Sequence, residues 1–232
     1  MAAIQQMLLA AAPPAGLTFV SSETTTSDAA SFSLSIPAGA QVDDAVIIVV
    51  HVANKAGSTP PSNTFGGTGY TSDATSTFAT GTHRLQVFVK RFTTTPESVV
   101  NFSQTAGANR INAVAHLWRG GSASQILDVT STVSTGTDSG PAITPVTAGA
   151  VVLSIIGQFT STLGGGQAVP SGYSNTAIRA QTDSYSWLGS TMEARTGMAS
   201  KPWSGSGAET PGAWTSGGSY DTCRITLALR PA

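Results

Sequence analysis

Charge is the scarcest ingredient of this chain. Asp, Glu, Lys and Arg make up 10% of its 232 residues, whereas an average soluble domain carries about 25%. The 11 basic and 12 acidic residues are scattered and leave a net charge of -1. With no basic run to meet phosphates or anionic headgroups, nucleic-acid and membrane-surface binding by electrostatics are excluded. A single cysteine, Cys223, allows no internal disulfide. Set in an alternating pattern, it reads as a buried structural thiol. No apolar run approaches the roughly 20 residues of a membrane-spanning helix. Long helical periodicity is missing too, and good helix formers are few.

About a quarter of the chain is Ser or Thr, accompanied by 25 glycines and 40% hydrophobic residues. A mean hydropathy of +0.09 leaves enough apolar surface for a core, so the chain is expected to fold. Its periodicity is two rather than 3.6. Residues 30–36 alternate Phe32, Leu34 and Ile36 with serines, as a half-buried strand does. Residues 45–52 (AVIIVVHV) form a continuous β-branched run suited to a central strand buried on both faces. Residues 85–92 and 98–103 flank a Thr-Thr-Thr-Pro-Glu loop as a hairpin would. Further strands are expected over 111–119, 126–131, 150–159, 175–181 and 222–230, with turns of Gly, Pro, Ser and Thr between them. The expected fold is all-β, an antiparallel β-sandwich of jelly-roll or Greek-key type.

A weak internal echo runs through this pattern. Residues 36–70 pass from a Pro-Ala-Gly turn through AVIIVV to Gly69-Tyr70, and residues 143–173 pass from a Pro turn through AVVLSII to Gly172-Tyr173. Two readings stand: a duplication into 15–135 and 142–232, or two strand–loop units of one sandwich over 15–232. No linker-like shift of composition separates the halves, which favours one sandwich. Before it, residues 1–14 hold Ile4, Met7 and Leu8 at helical spacing, ahead of Pro13 and Pro14. No basic residue precedes this apolar stretch and two glutamines interrupt it, unlike a secretory signal. The expectation is an anchoring arm that orders only on a neighbour, with Ile4, Met7 and Leu8 as its contacts.

Catalytic signals are faint. The run 136–141 (GTDSGP) brushes against the glycine-flanked Ser of serine proteases, with His116 as a companion. The glycine before the Asp and the one following the Ser-Gly are both missing, and the spacing to His116 is poor. Asp138-Ser139-Gly140 matches the aspartic-protease triplet without its apolar strand context. His51, His83 and His116 show no paired ligand spacing, so no metal and no other cofactor is expected. Asp43-Asp44 reads as a charged turn, and the glycine clusters at 66–69 and 164–166 lack the Lys and helix of a phosphate loop. The least regular stretch, 183–221, holds the better functional candidates: Tyr185, Trp187, Trp203 and Trp214. These rings could form a platform for sugar faces on a host surface, or plug one end of the sandwich or a subunit interface.

Several short motifs carry a resemblance. Residues 1–10, the Val42-Asp43-Asp44 turn before AVIIVV, residues 85–92 with Pro96-Glu97-Ser98, the strand end Trp118-Arg119-Gly120 and the closing TLALRP resemble a β-sandwich module of tailed-bacteriophage virion proteins. That module runs from a Gly-Asp turn through an aliphatic strand, a Gly-Trp turn, a strand ending in Lys and a Glu-containing hairpin to an Arg-Gly strand end. Here Asp43-Asp44 replaces Gly-Asp and Gly69-Tyr70 replaces Gly-Trp. The resemblance transfers no active site. It implies a non-enzymatic virion component: an outer capsid decoration (cement) protein, a head or tail fibre, or a tail-tube appendage. The lack of heptads or triple-helix repeats of a long shaft favours decoration, and the aromatic stretch leaves a host-surface glycan-binding adhesin as the alternative. The partners implied are other capsid or tail subunits and further copies of the chain.

Overall fold

The computed structural model describes residues 16–54, 64–65, 69–77, 83–103, 109–136, 139–160, 167–185, 190–215 and 219–232. The arm and its Ile4, Met7 and Leu8 lie outside them. Among the described residues there is no helix. The strands are β1 (Thr18–Ser27), β2 (Ser31–Ser35), β3 (Ala45–Asn54), β4 (Thr64–Phe65), β5 (Thr71–Thr77), β6 (His83–Arg91), β7 (Val99–Ser103), β8 (Asn109–Arg119), β9 (Leu127–Thr135), β10 (Val151–Thr160), β11 (Ser174–Tyr185), β12 (Ser190–Pro202) and β13 (Ser219–Leu229).

Two five-stranded antiparallel sheets, ordered β1-β8-β3-β6-β5 and β11-β12-β10-β13-β9, pack face to face as a β-sandwich. The core between them is mainly aliphatic, with Ile47, Val49 and Val87 from one sheet meeting Leu153, Ile155 and Ile225 from the other, and it also encloses His51, His83, Asn112 and His116. A small sheet, β2-β7-β4, covers the outer face of the first sheet. Phe32, Leu34 and Phe102 pack there on Val46, Ile48 and Val50. This is why β3 is hydrophobic without alternation: odd and even residues face different cores. Around the first sheet, β1-β8-β3-β6 against β2-β7-β4 winds as a jelly roll does.

Matching β1, β3, β5, β6 and β8 with β9, β10, β11, β12 and β13 gives both large sheets the same order. The register agrees as well. Ala45 stands between Arg91 and Trp118, and Val151 stands between Pro202 and Leu229. Both first edge pairs are interrupted by a bulge, at Ser72/Ala74 and at Ser174/Ala177. Outside the second sheet, the bridges Ser139–Ala213, Ile143–Glu209 and Ala168–Thr215 stand where the small sheet covers the first. Edge β1 lies against β11 while β5 lies against β9, the exchange expected of a two-fold relation between matched elements.

Two expectations change, and two strands join those expected. The dividing point falls between Arg119 and Leu127, because β9 pairs with β13 and belongs to the second half. A split at 135–142 would strand it. The stretch 183–221 is not one long loop, since it contains the whole of β12. That strand hides because Glu193, Arg195 and Thr196 are buried, so inward positions are not apolar. The hydroxyl-rich segments Thr18–Ser27 and Thr71–Thr77 are strands as well, both at sheet edges.

Candidate functional site

The motif residues gather into two matched clamps. Gly69 and Gly172 turn with φ of 84° and 80°, a region that favours glycine, and each lies beside a lysine stem: a Cβ at Gly69 would stand 3.5 Å from Lys90 Cε, and one at Gly172 would stand 3.7 Å from Lys201 Cε. The ammonium of Lys90 lies 4.6 Å from the Tyr70 ring centre and donates to both oxygens of Glu97, at 2.8 and 3.0 Å. The Tyr70 hydroxyl donates to the same carboxylate at 2.7 Å. In the second half Lys201 lies 5.9 Å from the Tyr173 ring and bonds Glu209 at 2.9 and 3.0 Å, and Tyr173 donates to Glu209 at 3.3 Å. Burial, then the adjoining carboxylate, pushes both phenols above their ordinary range. Arg119 adds a two-pronged bond to the buried Asp44, at 2.9 and 2.8 Å, tying the strand end to the turn before β3.

Of the four aromatic candidates the structure describes Trp203 and Trp214, which pack into one cluster of the second half. Trp214 is buried, its ring edge where a Cβ on Gly197 would stand and its Nε1 donating to Ser154 Oγ at 2.9 Å. It is a core residue, and the expected platform loses it. Trp203 is half-buried against the same cluster and donates to the Gly207 carbonyl at 3.1 Å. Trp187 and the side chain of Tyr185 lie outside the described residues.

Around Trp214 the interior of the second half holds a feature the sequence concealed. Arg195, Arg224, Glu193, Gln158, Thr222 and Thr226 are all buried on the outward face of the second sheet. Arg195 Nε donates to Glu193 Oε1 at 2.7 Å, and Gln167 Nε2 donates to Gln158 Oε1 at 2.8 Å. The recurrence of polar residues at alternate positions of β12 and β13 was the available signal, but alternation alone places such residues outside.

The histidines occupy the opposite face, between the two large sheets. His51 Nε2 and His83 Nδ1 are 3.0 Å apart, with Cys223 Sγ 3.9 Å from His83 Nε2. Burial holds His51 and His116 down to about 3, and drives His83 well below its ordinary range by burial and then by His51. His116 has no hydrogen-bond partner among the described residues for either ring nitrogen. Ser139 instead bridges Ala213 outside the second sheet, so the protease-like pair is not brought together. Among the described residues no three His, Cys, Asp or Glu side chains group as metal ligands. No family model, curated protein or solved structure matches this chain.

Proposed function

We propose that the chain is a non-enzymatic structural component of a tailed-bacteriophage particle, an outer capsid decoration protein. The observation that carries this reading is what the resembling residues do. Tyr70, Lys90 and Glu97 close one clamp and Arg119 with Asp44 closes another, so the shared motif is a framework of turns rather than the rim of a cleft. The two sheets share one extensive aliphatic core, which suits a particle component that must persist outside a cell. Low charge suits it too, since exposed ion pairs contribute little and are screened by salt. Partners on this reading are capsid subunits and further copies of the chain, with the arm at 1–14 as tether.

Location tests the reading. Antibody-gold labelling of intact particles is expected on the head surface, and particles made with a chain lacking residues 1–14 are expected to lose the label. Labelling of the tail, or of no particle at all, would overturn the decoration role.

A further inference from the structure

A groove of about 400 Å³ opens where the two halves meet along one edge, a size within the range of small-ligand sites, about 300–1,000 Å³. Thr71, Ser72 and Asp73 of β5 form one wall, and Ser124 and Gln125 of the segment joining the halves form part of the other. Val89, Ile126 and Leu127 supply an aliphatic surface within it.

Asp73 is placed there by the fold. It is the residue left over in the pairing of β5 with β6, where Ser72 opposes Phe88 and Ala74 opposes Val87. Such bulges re-aim a side chain. The Ser131 hydroxyl of β9 donates to Asp73 Oδ2, so a residue of the second half orients a carboxyl of the first. Burial raises the affinity of this carboxyl for its proton, and the Ser131 bond opposes the rise in part. On the other wall, Arg230 donates to Gln125 Oε1 at 2.9 Å, which leaves the Gln125 amide hydrogens as donors.

The lining selects among ligands. Among the described residues the lining carries one carboxyl and no cationic side chain, Arg230 being engaged with Gln125 Oε1 behind it, which disfavours phosphates and carboxylates. One carboxyl is also too few for the oxygen cage of a divalent cation. What remains is a carboxyl acceptor, an amide donor, hydroxyls and an aliphatic surface: partners for vicinal hydroxyls and for the C–H face of a ring. We propose that the groove between β5 and residues 124–127 binds a neutral sugar, with Asp73 Oδ1 accepting from its hydroxyls, the Gln125 amide donating to them, and Val89, Ile126 and Leu127 meeting its ring face. The site does not depend on where the protein resides in a particle.

Titration of the isotope-labelled full chain with glucose, galactose, mannose and N-acetylglucosamine, read by amide chemical shifts, tests this. At least one sugar is expected to give saturable shifts confined to residues 71–73 and 124–127, with millimolar half-saturation. Asp73→Asn is expected to weaken it by about tenfold or more, the scale of a lost hydrogen bond to a charged group. Thr71→Tyr, at an exposed position, is expected to fill the groove and abolish the shifts while leaving the melting temperature unchanged. Absence of saturable shifts at these amides for all four sugars would overturn the proposal. So would binding that survives both substitutions.

Discussion

The two halves share strand order and register but bury their polar groups on opposite sides. Ile48, Val52, Ile111, Ala113 and Ala115 line the first half's interior, and the matched positions in the second half are Ser154, Gln158, Thr222, Arg224 and Thr226. Between the sheets the bias reverses. His51, His83, Asn112 and His116 come from the first half, and Gly157, Ala194, Cys223 and Leu227 match them in the second. The contacts cross in matched fashion, Asn112 Nδ2 to the Ala194 carbonyl at 2.8 Å and Cys223 Sγ to His83 at 3.9 Å. His51 lies on Gly157, its own matched position, where a Cβ would come within 2.8 Å of the ring. A common backbone therefore fixes which positions are inward but not what fills them. Once each half had its own surroundings, large and polar groups on one side were accommodated by small ones on the other.

The largest effect is expected from exchanging matched interior residues. Ala113→Arg puts an unpaired charge into a dry aliphatic interior and should cost about 5 kcal/mol or more, leaving no folded protein. The reverse change, Arg224→Ala, breaks a buried polar cluster and should cost about 3 kcal/mol, measured by denaturant unfolding. Equal effects of the two would break the contrast.

Acid comes next. His51, His83 and His116 bind protons less well folded than unfolded. Their contribution is complete above the ordinary histidine range and is lost as pH falls below about 6.5, for His51 and His116 toward about 3, at up to roughly 1.4 kcal/mol per pH unit for each imidazole. Unfolding midpoints measured between neutral pH and pH about 5 should fall accordingly, before carboxylates titrate. His116→Leu, which installs the side chain found at matched Leu227, should flatten that slope.

Gly157→Val tests the close approach between the sheets. It should cost about 2–3 kcal/mol through overpacking against His51 and Leu85. The smallest effects belong to the clamps. Lys90→Met should cost about 1 kcal/mol and Lys201→Met less, because Lys90 is 15% exposed and Lys201 is 34% exposed. Thermal melting of the two variants side by side would show whether matched clamps differ as their exposure differs.

Much of this was legible in the sequence. The serine–aliphatic alternation of 31–35 and the unbroken run of 45–52 gave β2 and β3 their sidedness, and Gly-Tyr recurring before an edge strand marked matched turns. What stayed hidden has a common cause. The strand β12 buries Glu193 and Arg195, and the edges β1 and β5 carry mostly hydroxyls, so none shows a periodic apolar face. Trp214 reads either as part of a ligand platform or as a plug, because an aromatic among Gly, Ser and Pro carries no sign of its burial, and Gly197 of β12 makes room for its ring. The Asp73 groove was equally silent, since its walls come from β5 and from the segment leading into β9.

The central claim is that two matched halves, different in what they bury, form one body through the aliphatic core between their sheets. Calorimetry of the full chain tests it most directly. Because each large sheet relies on the other to cover its inward face, a single transition is predicted, with calorimetric and van't Hoff enthalpies in a ratio of about 1. Two resolved transitions, one surviving after the other half has melted, would contradict it.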